Sequence, residues 1–140
     1  MRVNIKGISK VKLNSDKFQK KLEKAVYGAM VEGALVDIET GAKKKITQDK
    51  HIDTGRLRAS IHTTYTGHEI HNYNDMEGGA YEDRLDVKRK EFNLFVGTAV
   101  KYAKYIEFMD SFLYFAFKHG QQKMPKRIRK HVQRVLKGMR

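Results

Sequence analysis

The chain has 140 residues, no cysteine, a single proline and a formal net charge of +13. That length fits one domain spanning residues 1–140, and the missing thiols exclude a disulfide framework, a thiolate metal site and thiol redox chemistry. No apolar run is long enough for a signal peptide or a membrane span, so the chain is expected to fold in a cytoplasm.

In chain order, Val3 and Ile5 alternate with Arg2, Asn4 and Lys6 ahead of Gly7, the pattern of a short strand. Asn14, Ser15 and Asp16 then offer a helix N-cap. From Asp16 to about Ile46 a helical stripe follows: Phe18, Leu22, Ala25, Ala29, Gly33 and Val36 recur at intervals of three or four. Ala29, Gly33 and Ala34 keep that stripe thin, which suits close packing on a sheet. Lys43, Lys44 and Lys45 suit the negative pole of the helix dipole and a solvated face.

After a polar connection, Asp53, Thr54 and Gly55 form a turn. Leu57, Ala59, Ile61, Thr63 and Tyr65 then alternate with Arg58, Ser60, His62 and Thr64, predicting a strand over 57–65. Thr66-Gly67 turns the chain into a return strand, His68 to Tyr73, and the two make a hairpin. Residues 74–91 hold Gly78-Gly79 and most of the mid-chain acids, predicting an exposed, mobile loop. Phe92, Leu94 and Val96 alternate toward Gly97 as the closing strand.

The next segment is strongly aromatic: a helix from Tyr102 to about Gly120 carries Tyr105, Phe108, Phe112, Tyr114, Phe115 and Phe117 around its whole circumference. One small core cannot cover all of these, so Tyr105, Phe108, Phe112, Tyr114 and Phe115 are candidate subunit-interface residues. Pro125 can open a last helix over 124–140, amphipathic and basic, with Arg127, Lys130 and Arg134 as candidate polyanion contacts. The charge is uneven. Residues 1–50 carry 12 Lys and Arg against 6 Asp and Glu, residues 51–100 carry 6 against 8, and residues 101–140 carry 11 against 2. Basic ends around an acidic middle suit head-to-tail contact between subunits as well as polyanion binding.

No residue is assigned to catalysis, a cofactor or a metal. The Asp53-Thr54-Gly55 triplet matches the carboxylate motif of aspartic proteases, but Arg56 beside it would favour the charged carboxylate and spoil a shared-proton dyad. His68 and His71, three apart on a strand, point to opposite faces and read as exposed strand histidines. Glu107 has no fixed histidine, serine or second carboxylate and reads as a structural partner of Arg56 or Arg58. Gly78-Gly79 lacks the Gly-Lys-Ser/Thr continuation of a phosphate loop.

The segments Thr54 to Ile61 (T-G-R-L-R-A-S-I) and Val96 to Glu107 (V-G-T-A-V-K-Y-A-K-Y-I-E) follow the long helix Asp16 to Ile46 and precede Phe112 to Ala116. In that order they resemble the tail-component family of long-tailed bacteriophages, the tail-completion or head-tail joining proteins. Family members carry a Gly-rich loop after the glutamate and a proline in the final F-L-x-P-A; here Glu107 to Ser111 runs straight into Phe112, and Phe115 stands in the proline position. The pattern of elements gives an α+β fold, a small antiparallel sheet of three to four strands on the long helix with one or two C-terminal helices. The resemblance implies a structural virion protein, a ring oligomer contacting neighbouring neck and tail proteins at the head-tail junction, assembled in the host cytoplasm. The alternative is a small basic domain that binds nucleic acid nonspecifically.

Overall fold

In the computed structural model of the protein, residues 5–51, 53, 55–84 and 94–139 are described, without the side chains of residues 5–13. The expected strand at Val3 and Ile5 is not formed: helix α1 runs from Ile5 to Gly33, and Asn14 to Asp16 lie inside it rather than at its start. Val3 itself falls outside the described residues. A π-helical turn, Ala34–Glu39, connects α1 to α2, Thr40–Gln48, and the junction residues Gly33 and Thr40 both keep right-handed helical backbone. The three segments therefore form one rod. At the π turn the Thr40 hydroxyl donates to the Leu35 carbonyl at 3.1 Å, five residues back. One extra residue per turn shifts the phase of the apolar stripe. Leu35 and Val36 rotate outward, whereas Ala34, Ile38, Ala42 and Ile46 stay buried.

The strand expected over 57–65 is half helix. Gly55, at φ +74°, starts a short helix α3, Arg56–Ser60, and only His62–Tyr65 is extended, as β1. Leu57 and Ile61 are both buried and sit four apart. A five-residue alternation always contains an i, i+4 pair, so the same residues satisfy one helical turn.

Strand pairing also differs from the expected hairpin. Strand β1 pairs antiparallel with β4, Leu94–Gly97, placing Thr63 opposite Val96 and Thr64 opposite Phe95. Strands β2, Ile70–Asn74, and β3, Ala80–Arg84, form a separate antiparallel hairpin. Between β1 and β2 the described residues form no ladder, and an isolated bridge joins Tyr65 to His68. Part of the expected 74–91 loop is thus strand β3, and residues 85–91 lie outside the described residues. The hairpin turn is built by Asp75, whose carboxylate accepts from the Gly79 and Glu77 amides at 2.7 and 3.0 Å and from the Tyr81 hydroxyl at 3.0 Å. Gly78 supplies the positive φ, +86°.

Helix α4, Ala103–Asp110, ends at Ser111, which takes a left-handed backbone, φ 47° and ψ 44°. Helix α5 then runs unbroken from Phe112 to Lys137, with Pro125 inside it rather than opening a separate tail helix. It lies antiparallel on the rod: Gly41 faces Ala116, Gly120 faces Ile38, Gly33 faces Met124 and Gly28 faces His131. The thin stripe of the rod therefore packs chiefly on α5. The core gathers Ile38, Ala42 and Ile46 with Leu57, Ile61, Val100, Ala103, Phe112 and Ala116. The result is an α+β fold in which the described residues form four short antiparallel strands in two pairs beside a long helical pair.

Candidate functional site

The corner where α4 meets α5 exposes the aromatic run. Glu107, expected to hold Arg56 or Arg58, instead accepts from the backbone amides of Leu113 at 2.7 Å and Tyr114 at 3.0 Å. These are first-turn amides of α5 without intrahelical partners, and a carboxylate there also meets the positive end of the helix dipole. One residue, Ser111, thus joins α4 to α5, and the tight joint turns α4 outward. Phe108 is 90 % exposed, and Tyr105, Met109 and Tyr114 are each more than 60 % exposed. Phe115 is also open, under Lys45, whose ammonium lies 5.2 Å from the ring centroid, and against His119.

Phe112 is different. It is fully buried at the centre of the core and is not available to a neighbour, so its place among the interface candidates is corrected. On a helix it projects on the same side as Ala116 and Gly120, two residues that bring the rod close. The side of α5 carrying Leu113, Tyr114 and Phe117 borders an apolar groove of about 610 Å³, closed by Leu94, Phe95 and Met124.

The basic face of α5 divides in two. Arg127, a candidate polyanion contact, is committed to the rod: its guanidinium donates to Asp37 at 2.7 and 3.2 Å and to Glu32 at 2.6 Å. His131 meets the other Glu32 oxygen at 2.5 Å. The hydrogen bond from Arg127 holds the Asp37 carboxyl below its ordinary range against the opposing effect of burial, and His131 chiefly does the same for Glu32. Lys130 and Arg134, by contrast, are exposed.

A second, polar cleft of about 670 Å³ lies between the start of α3, the hairpin turn and α4, bordered by Lys50, His51, Asp53, Arg56, Tyr81 and Tyr102. Asp53 sits at a bend; Thr54 is outside the described residues; Gly55 holds the left-handed turn conformation. Arg56 lies 4.1 Å from the Tyr81 ring centroid and hydrogen-bonds Tyr73, while His51 pairs with Asp110. His71, read as an exposed strand histidine, stacks on buried His62 with centroids 4.4 Å apart and on Tyr73 at 5.2 Å. Among the described residues no group of three His, Cys, Asp or Glu is placed to hold a metal ion.

The sequence reading missed the Arg127 network and the Arg56–Tyr81 stack, because both join residues far apart in the chain. It also missed β3, although an aspartate three residues before a Gly-Gly pair, between alternating segments, is a hairpin signal.

Residues 9–108, more than two thirds of the chain, match the family described as "Bacteriophage HK97-gp10, putative tail-component". The match covers all but the first four residues of the rod, α3, both strand pairs and most of α4, and ends before α5. No curated protein and no solved structure gave a significant match. A structural role in the phage tail, and a place in the virion, come with that family. The chain belongs to the HK97-gp10 tail-component family of bacteriophages.

Proposed function

We propose that this tail component acts in tail completion or head-tail joining, assembling as a ring at the neck between the head connector and the tail tube. The observation that carries the reading is the exposed aromatic corner. Tyr105, Phe108, Met109 and Tyr114 project from two helices fixed at one joint, with an apolar groove next to them. Monomeric proteins rarely leave such contiguous apolar surface in water, and aromatic side chains dominate binding interfaces. Burial yields roughly 1.5 to 3 kcal/mol per large side chain, so two or three per contact can hold a ring of stable subunits. Its work is then binding geometry without bond chemistry, carried out with neighbouring neck and tail proteins after folding in the host cytoplasm.

The test is the size of the purified protein in high salt. Self-association should persist there, and Tyr114→Asp or Phe108→Asp should abolish it while the circular dichroism spectrum of the monomer stays unchanged. Assembly that survives both substitutions would move the interface away from this corner. The second reading, a nonspecific nucleic-acid contact through Lys130 and Arg134, is favoured by the absence of any carboxylate on α5. It requires DNA affinity that collapses steeply with salt.

A further inference from the structure

The positive charge of the chain is concentrated on one pair of helices. Residues 1–33 and 118–140, which contain α1 and most of α5, hold 17 Lys and Arg against 3 Asp and Glu, whereas residues 34–117 hold 12 against 13. On α5 the series Lys123, Arg127, Lys130, Arg134 and Lys137 recurs at intervals of four and three, the spacing of one helix face. Its first two members meet the rod: Lys123 pairs with Asp37, and Arg127 with Asp37 and Glu32. The last three are exposed. On α1 the series Glu32, Gly28, Lys24, Lys21 and Lys17 runs the other way at the same intervals. Glu32 bonds Arg127 and His131, and Gly28 faces His131, so this series lies along the same flank of the seam. Lys130 also acts on the Glu32 carboxyl, which places the α5 series beside it. Lys17, Lys21 and Lys24 are exposed as well. Asp16 and Glu23 lie on another face of α1 with Gln19, whose amide donates to Glu23 at 3.0 Å. Among the described residues no ion pair reaches any of these six exposed cations.

We infer that this flank is one binding surface for the phosphates of duplex DNA, shared between the two helices; resting on the nucleic-acid reading, it extends the contact from Lys130 and Arg134 to three lysines of α1. A charge excess confined to one pair of elements, with the rest of the chain balanced, is the electrostatic footprint of a polyanion site. In the antiparallel pair Lys24 stands level with Arg134, and Lys17 lies beyond the end of α5. From Lys130 to Lys17 the patch is about 18 Å long by helical rise, and a duplex offers about ten phosphates over that length to the six cations. Lysines meet phosphates as point charges and read no base edge, so the contact is independent of sequence. Proteins that hold single strands stack the bases on open aromatic rings, whereas Phe18 and Tyr27, the aromatics of this stretch, are half-buried. A helix lying on lipid buries its apolar face there. Here Met124, Ile128, His131 and Val135 share the spacing of the seam, and Met124 and His131 face glycines of the rod. The aromatic corner sits at the opposite end of α5, so one subunit can use both surfaces.

The test measures binding of the full-length protein to a fluorescent duplex of random sequence across a salt series. Three variants are compared with the wild type: Lys17→Gln/Lys21→Gln/Lys24→Gln on α1, Lys130→Gln/Arg134→Gln/Lys137→Gln on α5, and the control Lys44→Gln/Lys101→Gln/Lys104→Gln, which removes three exposed lysines elsewhere. The α1 and α5 variants should each bind at least about 10-fold more weakly at about 0.1 M salt, with the slope of log K against log salt shallower by about 3. The control should lose clearly less. Lys17→Arg/Lys21→Arg/Lys24→Arg should bind like the wild type, which separates loss of charge from damage to α1. If the α5 variant loses affinity and the α1 variant does not, the inference is overturned while the nucleic-acid reading through α5 stands. A wild type that binds no DNA at any salt overturns both. Equal losses in the control and the α1 variant would mean that net charge alone matters, and tighter binding to a single strand of equal phosphate number would exclude the duplex; either overturns the inference. Binding to phosphatidylserine vesicles that duplex DNA fails to displace would make lipid the occupant and likewise overturn it.

Discussion

The seam between the rod and α5 is closed by shape, whereas the β2–β3 hairpin is fastened by polar and aromatic contacts. At the seam, Ala29, Gly33, Gly41, Ala116 and Gly120 let two helices approach until a Cβ added at Gly120 would stand 2.5 Å from Ile38 Cγ1. At the hairpin, a ladder of rings runs from His62 through His71, Tyr73 and Tyr81 to the Arg56 guanidinium, with successive ring centroids 4.4, 5.2 and 5.3 Å apart and the cation 4.1 Å beyond. The Tyr73 hydroxyl donates to Asp83 and the Tyr81 hydroxyl to Asp75. Close-packed helices tolerate little change in volume, while stacked, titratable groups can be loosened by solvent conditions. One region fixes the subunit; the other is the part whose attachment can be tuned.

The largest effects should therefore fall on the seam and its core. Phe112→Ala removes the largest fully buried side chain and should cost about 3–5 kcal/mol, read as a lower urea midpoint with an unchanged slope. Gly120→Ala should cost about 1–3 kcal/mol, because the new methyl meets the branched Ile38 side chain against a helix that cannot retreat. Gly33→Ala sharpens the point. Its methyl meets the flexible end of Met124, at 2.8 Å from Cε, so it should cost clearly less than Gly120→Ala in the same assay. Equal losses at the two glycines would mean that the seam yields evenly and is not set by the Ile38 contact.

Next comes the charged lock on the seam. Arg127→Met keeps much of the side-chain bulk but leaves the Asp37 carboxylate, 8 % exposed, with only Lys123, at 3.7 Å, as a cationic partner among the described residues. A cost of about 2 kcal/mol is expected for a largely buried acceptor that loses charged donors. The same substitution should leave DNA affinity unchanged if Arg127 is wholly committed to Asp37 and Glu32. A drop in DNA binding as large as that caused by removing exposed Lys130 would show that the pair opens readily.

Much of this contrast was legible in the sequence. The helical stripe, the final strand around Val96 and the aromatic excess after Tyr102 are periodic or compositional features, and they mark the rod, β4 and the exposed corner. Tertiary context decided the rest. The alternation from Leu57 to Tyr65 fits a strand, yet a left-handed Gly55 and the packing of Leu57 with Ile61 make its first half helical. Pro125 looks like a helix start, but its missing amide and fixed φ are accommodated within α5. Phe112 and Phe108 are the same residue type four apart in one aromatic run; the Ser111 joint alone sends one to the core and the other to the surface. No local pattern could have told them apart.

The smallest effect should belong to the hairpin and depend on pH. His62 is buried, donates from Nδ1 to the Ser60 carbonyl at 2.8 Å, and has a buried Nε2 without a hydrogen-bond partner. Protonation would therefore place an unsatisfied donor and a positive charge in the interior, beside His71. Burial chiefly pushes the His62 pKa down and His71 adds to it; the Ser60 carbonyl, Glu39 on the π turn and Asp83 on β3 act in the opposite direction. The unfolded chain, with an ordinary histidine, binds a proton more readily than the folded one. Stability contributed by neutral His62 is thus complete above the ordinary histidine range, about pH 6.5, and is lost as pH falls through that range toward the depressed folded value. The depressed carboxylates Asp37, Glu32 and Asp75 lose their contributions only in the lower, carboxylate range, so the two windows separate. Urea midpoints should decline from pH 7.5 to pH 5.5, and the slope should flatten in His62→Leu even though that variant is less stable throughout. Amide exchange in β2 and β3 should accelerate over the same interval while the rod and α5 stay protected. A slope unchanged in His62→Leu, or acceleration spread evenly over the seam, would show that the hairpin and the seam open as one unit.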